Sequence, residues 1–399
     1  MTGRLPVRTG VTDVLWPGGT AGLPGEERTI AELLSEAGYS TAMWGKWHVG
    51  DAEESAPENQ GFDYAYYTLY NAAFWMWADV EEHYQADVVA GNAHFYDFPG
   101  SEEYKERYGI KIHGIMQGEK GKGRKEIQRI TRSSQMVEHE AEMVRQIKGY
   151  IKEQAKSEKP FFIYWASNAN SPAGSPKDVR FGQNVDSRNN NGVEMVKHSA
   201  DVAEVLQTLK DEGIDENTLV VWMSDNGPMY AFYPNSGYSW LKGGQGDVFE
   251  GGVKTPAFAR WPGMIEPGQD PLDIIHVSDM FTTAARIAGI KDNIPDDRVT
   301  DGIDQTSFLL NGEGHGRRHY MLHYGGAKVG AARLGDYKAI IGGGVGGGLP
   351  QFEMYNVVRD PGEKYGKVYP YLWFVQPISD LMGSHMQMIE KYPHKTYAQ

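Results

Sequence analysis

Four short apolar runs, at 39–44, 161–165, 218–223 and 256–261, most narrow what this chain can fold into. Each is too short for a helix, and helical patterns lie between them. Thr29 is placed to cap a helix over 30–37, in which Ile30, Leu33 and Leu34 share a face and Gly38 marks the end. In 134–156, Val137, Ala141, Val144, Ile147 and Ile151 recur at spacings of three and four, the pattern of an amphipathic helix. The segment 193–209 turns Val202, Val205, Leu206 and Leu209 inward and stops at Gly213, and 277–288 reads as a helix ended by Gly289. Helices alternating with short buried strands predict a doubly wound α/β domain. In such sheets ligands gather at the carboxyl ends of the strands.

From about residue 318 the texture changes. Segments 320–324, 331–334, 337–341 and 352–355 read as short antiparallel strands, and 378–391 as a helix. The expected division is therefore an α/β domain over 1–315 and a smaller α+β subdomain over 316–399. Residues 50–130 read as irregular. They hold an aromatic cluster of Tyr64, Tyr66, Tyr67, Tyr70, Phe74, Trp75 and Trp77. Loop packing and a substrate-facing wall both account for it.

Acidic residues number 53 against 39 Lys and Arg, a net charge of −14, which argues against nucleic acid or an anionic membrane as partner. No apolar run approaches the ~20 residues that a membrane helix needs. The sequence holds no cysteine, which excludes disulfides, thiolate metal sites and a cysteine nucleophile within it.

Three polar clusters fall at strand ends: Lys46 with His48, Asp225 with Asn226, and the glycine-rich loop 242–254. Adjacent Asp and Asn offer hard oxygen ligands suited to Ca²⁺ or Mg²⁺. Asp-Asn-Gly is equally a common turn. In an extended segment Lys46 and His48 point to one side. There they supply positive charge and a proton donor for an oxyanion, although Lys-Trp-His is also a plain surface loop.

Taken in order, the segments resemble the sulfatase family. Gly38 through His48 (GYSTAMWGKWH) is similar to the family's second signature and departs from it at Trp44, where a small or aliphatic residue is usual. Asn59-Gln60-Gly61-Phe62-Asp63-Tyr64, the 160–164 run, Ser224 to Gly227, Glu250-Gly251-Gly252-Val253-Lys254-Thr255-Pro256, Trp261-Pro262-Gly263, Asp301 to Asp304 and Leu334-Gly335-Asp336-Tyr337-Lys338 follow in family order. The resemblance implies an alkaline-phosphatase-like α/β sandwich, with a mixed central sheet flanked by helices and a small C-terminal antiparallel-sheet subdomain. It implies hydrolysis of sulfate esters, small or carried on glycans, by a formylglycine made from Cys or Ser in a C/S-x-P-S-R motif, with Ca²⁺ as cofactor. By match, Asp225 and Asn226 are metal ligands, and Lys46 and His48 contact the nucleophile and the sulfate. Relatives are often exported.

The departures define the alternatives. Met1-Thr2-Gly3-Arg4-Leu5-Pro6 looks like the end of the helix into which the family's C/S-x-P-S-R segment runs. The C/S-x-P-S-R motif, its Arg, the first strand and that strand's metal-binding aspartates are therefore expected on a segment absent from this sequence, which would act as a partner. A family His after the 160–164 run corresponds to Ser171, and a family Lys before Glu250 corresponds to Gln245. Lys242, three residues earlier, is the candidate substitute for that charge, or else a solvated loop lysine. A sulfatase short of its N-terminal part, a non-catalytic homologue that binds an anionic ligand, and a phosphate or phosphonate ester hydrolase of the same superfamily all remain open at this stage.

Overall fold

The computed structural model describes residues 1–16, 18–70, 113–130, 134–169, 190–230, 239–271, 273–312, 316–341 and 352–395. The chain divides into two compact units. The first holds Met1 and Val14–Asp215, the second Thr2–Asp13 and Glu216–Thr396. The antiparallel sheet expected after residue 315 begins at Tyr320, inside the second unit.

The first unit is built on five strands: β1 (Ser40–Lys46), β2 (Tyr64–Thr68), β3 (Ile115–Glu119), β4 (Gly123–Gln128) and β5 (Phe161–Ala166). They lie in the order β4-β3-β2-β1-β5. β1 runs parallel to both β2 and β5, while β3 and β4 are antiparallel additions. The helix Ile30–Glu36 leads into β1. Its N-cap is Thr29, whose hydroxyl accepts the Glu32 N–H at 3.1 Å while the Glu32 carboxylate accepts the Thr29 N–H at 2.7 Å. The same hydroxyl donates to the Gln60 carbonyl at 2.6 Å, which ties the cap to the chain entering β2.

Strand alternation divides the side chains of β1 between two apolar layers. Met43 joins Ala31, Phe62, Ala65 and Tyr67 on one face. Trp44 faces the helix Ser134–Gln154, where its Nε1 donates to Gln146 Oε1 at 3.0 Å and its ring meets Tyr150 edge-on at 5.4 Å. Tyr64 donates to the same Gln146 oxygen at 2.9 Å. The departure at Trp44 is thus absorbed by Gln146, which satisfies the indole N–H inside the layer. β5 divides in the same way. Phe162 and Tyr164 pack against the Met43 cluster, whereas Phe161 meets Tyr150 and Trp165 meets His198 of the helix Asn190–Asp211. Helices cover both faces, as the doubly wound pattern requires.

The expectation of irregular chain over 50–130 is corrected, because β2, β3 and β4 lie there. Tyr64, Tyr66 and Tyr67 belong to β2, and Tyr70 is buried just beyond it. Three of the four are thus strand residues and Tyr70 packs into the core from the loop after the strand, and Phe74, Trp75 and Trp77 lie outside the described residues. β4 reads Gly-Arg-Lys-Glu-Ile-Gln and sits at the sheet edge, where Lys125, Glu126 and Ile127 are all exposed and no apolar alternation is needed. In β3, Gly118 breaks the strand pattern because a Cβ there would stand 2.3 Å from the Glu58 carboxylate.

In the second unit β6 (Val220–Met223) pairs antiparallel with β7 (Ala257–Arg260). A four-stranded antiparallel sheet follows from β8 (Tyr320–Gly325), β9 (Lys328–Leu334), β10 (Tyr337–Ile341) and β11 (Phe352–Asn356), in the order β11-β10-β9-β8. Its apolar face carries Leu322, Ala332, Ala339 and Met354, against which Ile378 of the helix Val375–Lys391 packs. The mixed sheet with flanking helices and the small C-terminal sheet are the elements expected from the sequence. Among the described residues β5 has a strand neighbour only on its β1 side, and β6 only on its β7 side.

Two measurements test this account. Gly45 in β1 stands at φ 101°, and a Cβ there would lie 1.9 Å from the Ala166 carbonyl oxygen of β5. Gly45→Ala is expected to lower stability by at least about 1–3 kcal/mol in chemical denaturation, because both the backbone conformation and the β1–β5 pairing resist the methyl group. His139 is buried beside Tyr66, and burial holds its imidazole down at about 3. The unfolded chain takes up that proton below about pH 6.5 and the folded chain does not, so stability should fall as pH drops from about 6.5 toward 4. His139→Gln should flatten that slope in denaturation midpoints measured across the range.

Candidate active site

Two groups of candidate residues belong to different units. In the first unit, Lys46 is the last residue of β1. The chain then stays beside the end of β2, with the Trp47 N–H on the Thr68 carbonyl at 2.9 Å and the His48 N–H on the Leu69 carbonyl at 2.8 Å. The simple alternation expected to align Lys46 with His48 ends here. His48 has φ 55°, and with Glu363 it is one of two non-glycine residues at positive φ among the described residues. Such a conformation costs about 1–3 kcal/mol and persists only where the surroundings impose it.

Those surroundings are visible. Trp47 is buried, and its Nε1 donates to the Ser55 carbonyl at 2.7 Å. Nε2 of His48 lies 3.2 Å from the Leu15 carbonyl. A carbonyl only accepts, so Nε2 is the donor in this contact. The ring stands edge-on to Tyr70 at 5.4 Å. The Tyr70 hydroxyl in turn bonds the Asp51 carboxylate, whose burial holds it above the usual carboxylate range. Tyr70 and Asp51 thus support His48, a role with no sequence signal, since Tyr70 reads as one aromatic among many and Asp51 as a loop acid.

In the second unit, Asp225 and Asn226 leave the carboxyl end of β6. Asp225 Oδ1 accepts the Asn226 N–H at 2.9 Å, and Asn226 Nδ2 donates to the Gly227 carbonyl at 2.9 Å. This turn is pressed against the glycine-rich loop. The Gly227 N–H donates to the Gly252 carbonyl at 3.1 Å, and a Cβ on Gly227 would stand 1.7 Å from the Gly251 oxygen. Gln245 reaches the same place: its Nε2 donates to Asn226 Oδ1 at 3.3 Å. Lys242 turns elsewhere, with its ammonium 3.9 Å above the Phe249 ring and 3.3 Å from the Tyr355 hydroxyl. Ser171 lies outside the described residues.

The donor set can be judged against a bound cation. Asp225 and Asn226 supply oxygens, the right kind for Ca²⁺, but Ca²⁺ takes about six to eight of them. Among the described residues no group of three His, Asp or Glu is arranged to hold a metal. The pair therefore fits one side of a hard-cation site.

A family model described as Sulfatase matches residues 1–290. The dog (Canis lupus familiaris) N-acetylgalactosamine-6-sulfatase is 31% identical over 350 residues, covering 85% of this chain and 60% of its own length. Human (Homo sapiens) arylsulfatase A is 31% identical over 370 residues, covering 85% and 63%. The chain thus spans about three fifths of the length of these curated relatives. Among solved structures, a Pseudoalteromonas sulfatase superposes with a TM-score of 0.89 at 29% identity, covering 100% of this chain and 80% of that one.

With two side-chain oxygens from Asp225 and Asn226, Ca²⁺ is expected to bind at about millimolar strength or weaker. Asp225→Ala should remove what binding there is. Calorimetry that finds micromolar affinity would contradict this ligand count.

Proposed function

The chain belongs to the sulfatase family, and from that premise we propose that it serves the hydrolysis of a sulfate ester carried on a glycan, in a protein that is exported. The glycan class is supported by the name of the N-acetylgalactosamine-6-sulfatase relative. The observation that carries the reading is His48, held in a left-handed backbone beside Lys46 at the carboxyl end of a central strand. Lys46 would set its positive charge against a sulfate oxygen, and His48, its Nε2 at the Leu15 carbonyl, would contact the nucleophile and the sulfate beside it. Asp225 and Asn226 would hold one side of a Ca²⁺, which when bound draws charge from sulfate oxygens. No residue of this sequence matches the family's formylglycine nucleophile, since it contains no Cys and no C/S-x-P-S-R motif. This chain alone is therefore proposed to lack turnover.

One observation favours the non-catalytic alternative, a scaffold that binds an anionic ligand. Gln245 is neutral and bonds Asn226, so it competes for a metal-ligand oxygen and brings no charge to the sulfate. Lys242 would supply that charge only by leaving Phe249 and Tyr355.

The test is a chimera that receives the N-terminal segment of a close relative with its formylglycine matured, assayed on an aryl sulfate. Turnover is expected to be weak with Gln245 and Ser171 in place and to rise by about 10²–10³ or more on Gln245→Lys with Ser171→His. Full activity in the unmodified chimera, abolished by Lys242→Ala, would assign the charge to Lys242 instead. No turnover in either chimera would contradict the hydrolase reading and support the scaffold.

A further inference from the structure

Beneath the 242–252 loop of the second unit, three ionisable side chains are closed off from water: Glu250 is 2% exposed, Lys338 0% and Glu363 1%. Lys338 Nζ stands 3.1 Å from Glu250 Oε1 and 3.0 Å from Glu363 Oε1. Arg333 approaches the second Glu250 oxygen at 3.4 Å, so two cations face two carboxylates. The other oxygen of Glu363 accepts the backbone N–H of Glu250 at 2.6 Å. Glu363 reaches this place from a left-handed backbone at φ 47°. A residue held in so unfavourable a conformation is over-determined by its neighbours, and such positions cluster where geometry matters to function.

What the network holds is the chain segment next to the candidate ligands. Glu250 leads directly into Gly251 and Gly252. Gly251 donates to the Lys242 carbonyl at 2.7 Å, and Gly252 accepts the Gly227 N–H at 3.1 Å. There is no slack between these backbones, because a single added carbon at Gly227 would collide with Gly251. A shift of Glu250 must therefore move Gly227, and with it Asn226 and Asp225. Apolar packing would fill this space with comparable stability, since a buried ion pair is often no better than a hydrophobic replacement. Directional bonds to a backbone N–H fix position in a way that apolar contacts do not.

We infer that Glu363, acting through Lys338 and Glu250, is a positioning residue for the Asp225–Asn226 oxygens and for Lys242. The inference rests on the reading of that pair as cation ligands. Neither Glu363 nor Lys338 touches the cation or the substrate.

The test uses the full chain with two readouts. Amide hydrogen exchange at Gly227 and Gly251 reports the loop contact without any metal. Terbium(III), an oxygen-seeking luminescent probe, reports the ligand pair. Glu363→Gln keeps the shape and removes the charge, Lys338→Met removes the cation, and Lys338→Arg keeps it. Glu363→Gln and Lys338→Met are expected to speed exchange at Gly227 and Gly251 by about tenfold or more relative to amides of β8 and β9, and to weaken terbium binding by about fivefold or more. Lys338→Arg should recover at least half of both effects on a logarithmic scale. Unchanged exchange at the two glycines in folded Glu363→Gln overturns the inference. So does a rise spread evenly over β8 and β9, which marks general loosening. Terbium binding that survives Asp225→Ala refutes the cation reading, and exchange then decides the positioning role alone. If Lys338→Met does not fold, Glu363→Gln carries the same decision.

Discussion

None of the Lys338 side chain is open to water, and the carboxylates of Glu250 and Glu363 stand 3.1 and 3.0 Å from its Nζ. Removing one partner of such a buried set typically costs about 3–5 kcal/mol, since the charge left behind has neither solvent nor counter-ion. Much of the second unit is arranged around this requirement. β10 carries Lys338, β9 carries Arg333, and the turn after β11 brings in Glu363. The short helix Glu250–Val253 brings Glu250 and delivers the two glycines that seat the Asp-Asn-Gly turn. The antiparallel sheet is thus more than an appendage, because it anchors the loop beside the candidate ligands.

The first unit obeys the same rule in backbone form. β1 is buried on both faces, so its peptide groups find partners in β2 and β5 and its side chains divide between two apolar layers. Gly45 marks how closely β1 and β5 approach. The order that results holds to the last residue of the strand and delivers Lys46 to the sheet's carboxyl edge. One residue past Trp47 the backbone turns left-handed, and His48 is aimed by Leu15, Tyr70 and, through Tyr70, Asp51. Rigid strand followed by constrained turn is a sound way to fix a charged side chain in space, since neither part has freedom to lose when an anion binds.

The strands β1, β5, β6 and β7, the helices beside them and the C-terminal sheet were legible because each announces itself locally, through apolar period, caps and glycines. Thr29 is the clearest case, where a cap readable from sequence is a full capping box with Glu32. β2 to β4 were not legible. β4 is an edge strand of polar residues, and its order comes from hydrogen bonds to β3 that no residue type signals. The candidate pairs Lys46 with His48 and Asp225 with Asn226 were visible as polar groups at strand ends. Their supports were not, since Tyr70 and Asp51 resemble ordinary aromatic and loop residues until the fold brings them to His48.

By itself the sequence determined the fold class, the sulfatase membership and the chemical character of the candidate site: a lysine and a histidine on one segment, hard oxygens on another, and no cysteine at all. Those properties reside in residue types and their spacing along the chain. Tertiary structure alone decided that Gln245 bonds Asn226, that Lys242 lies over Phe249, and that Glu250, Lys338 and Glu363 are one object. These residues stand up to 113 positions apart. A hydrogen bond or a buried charge pair is set by distance and by exclusion of water, and both arise only once the sheet has folded.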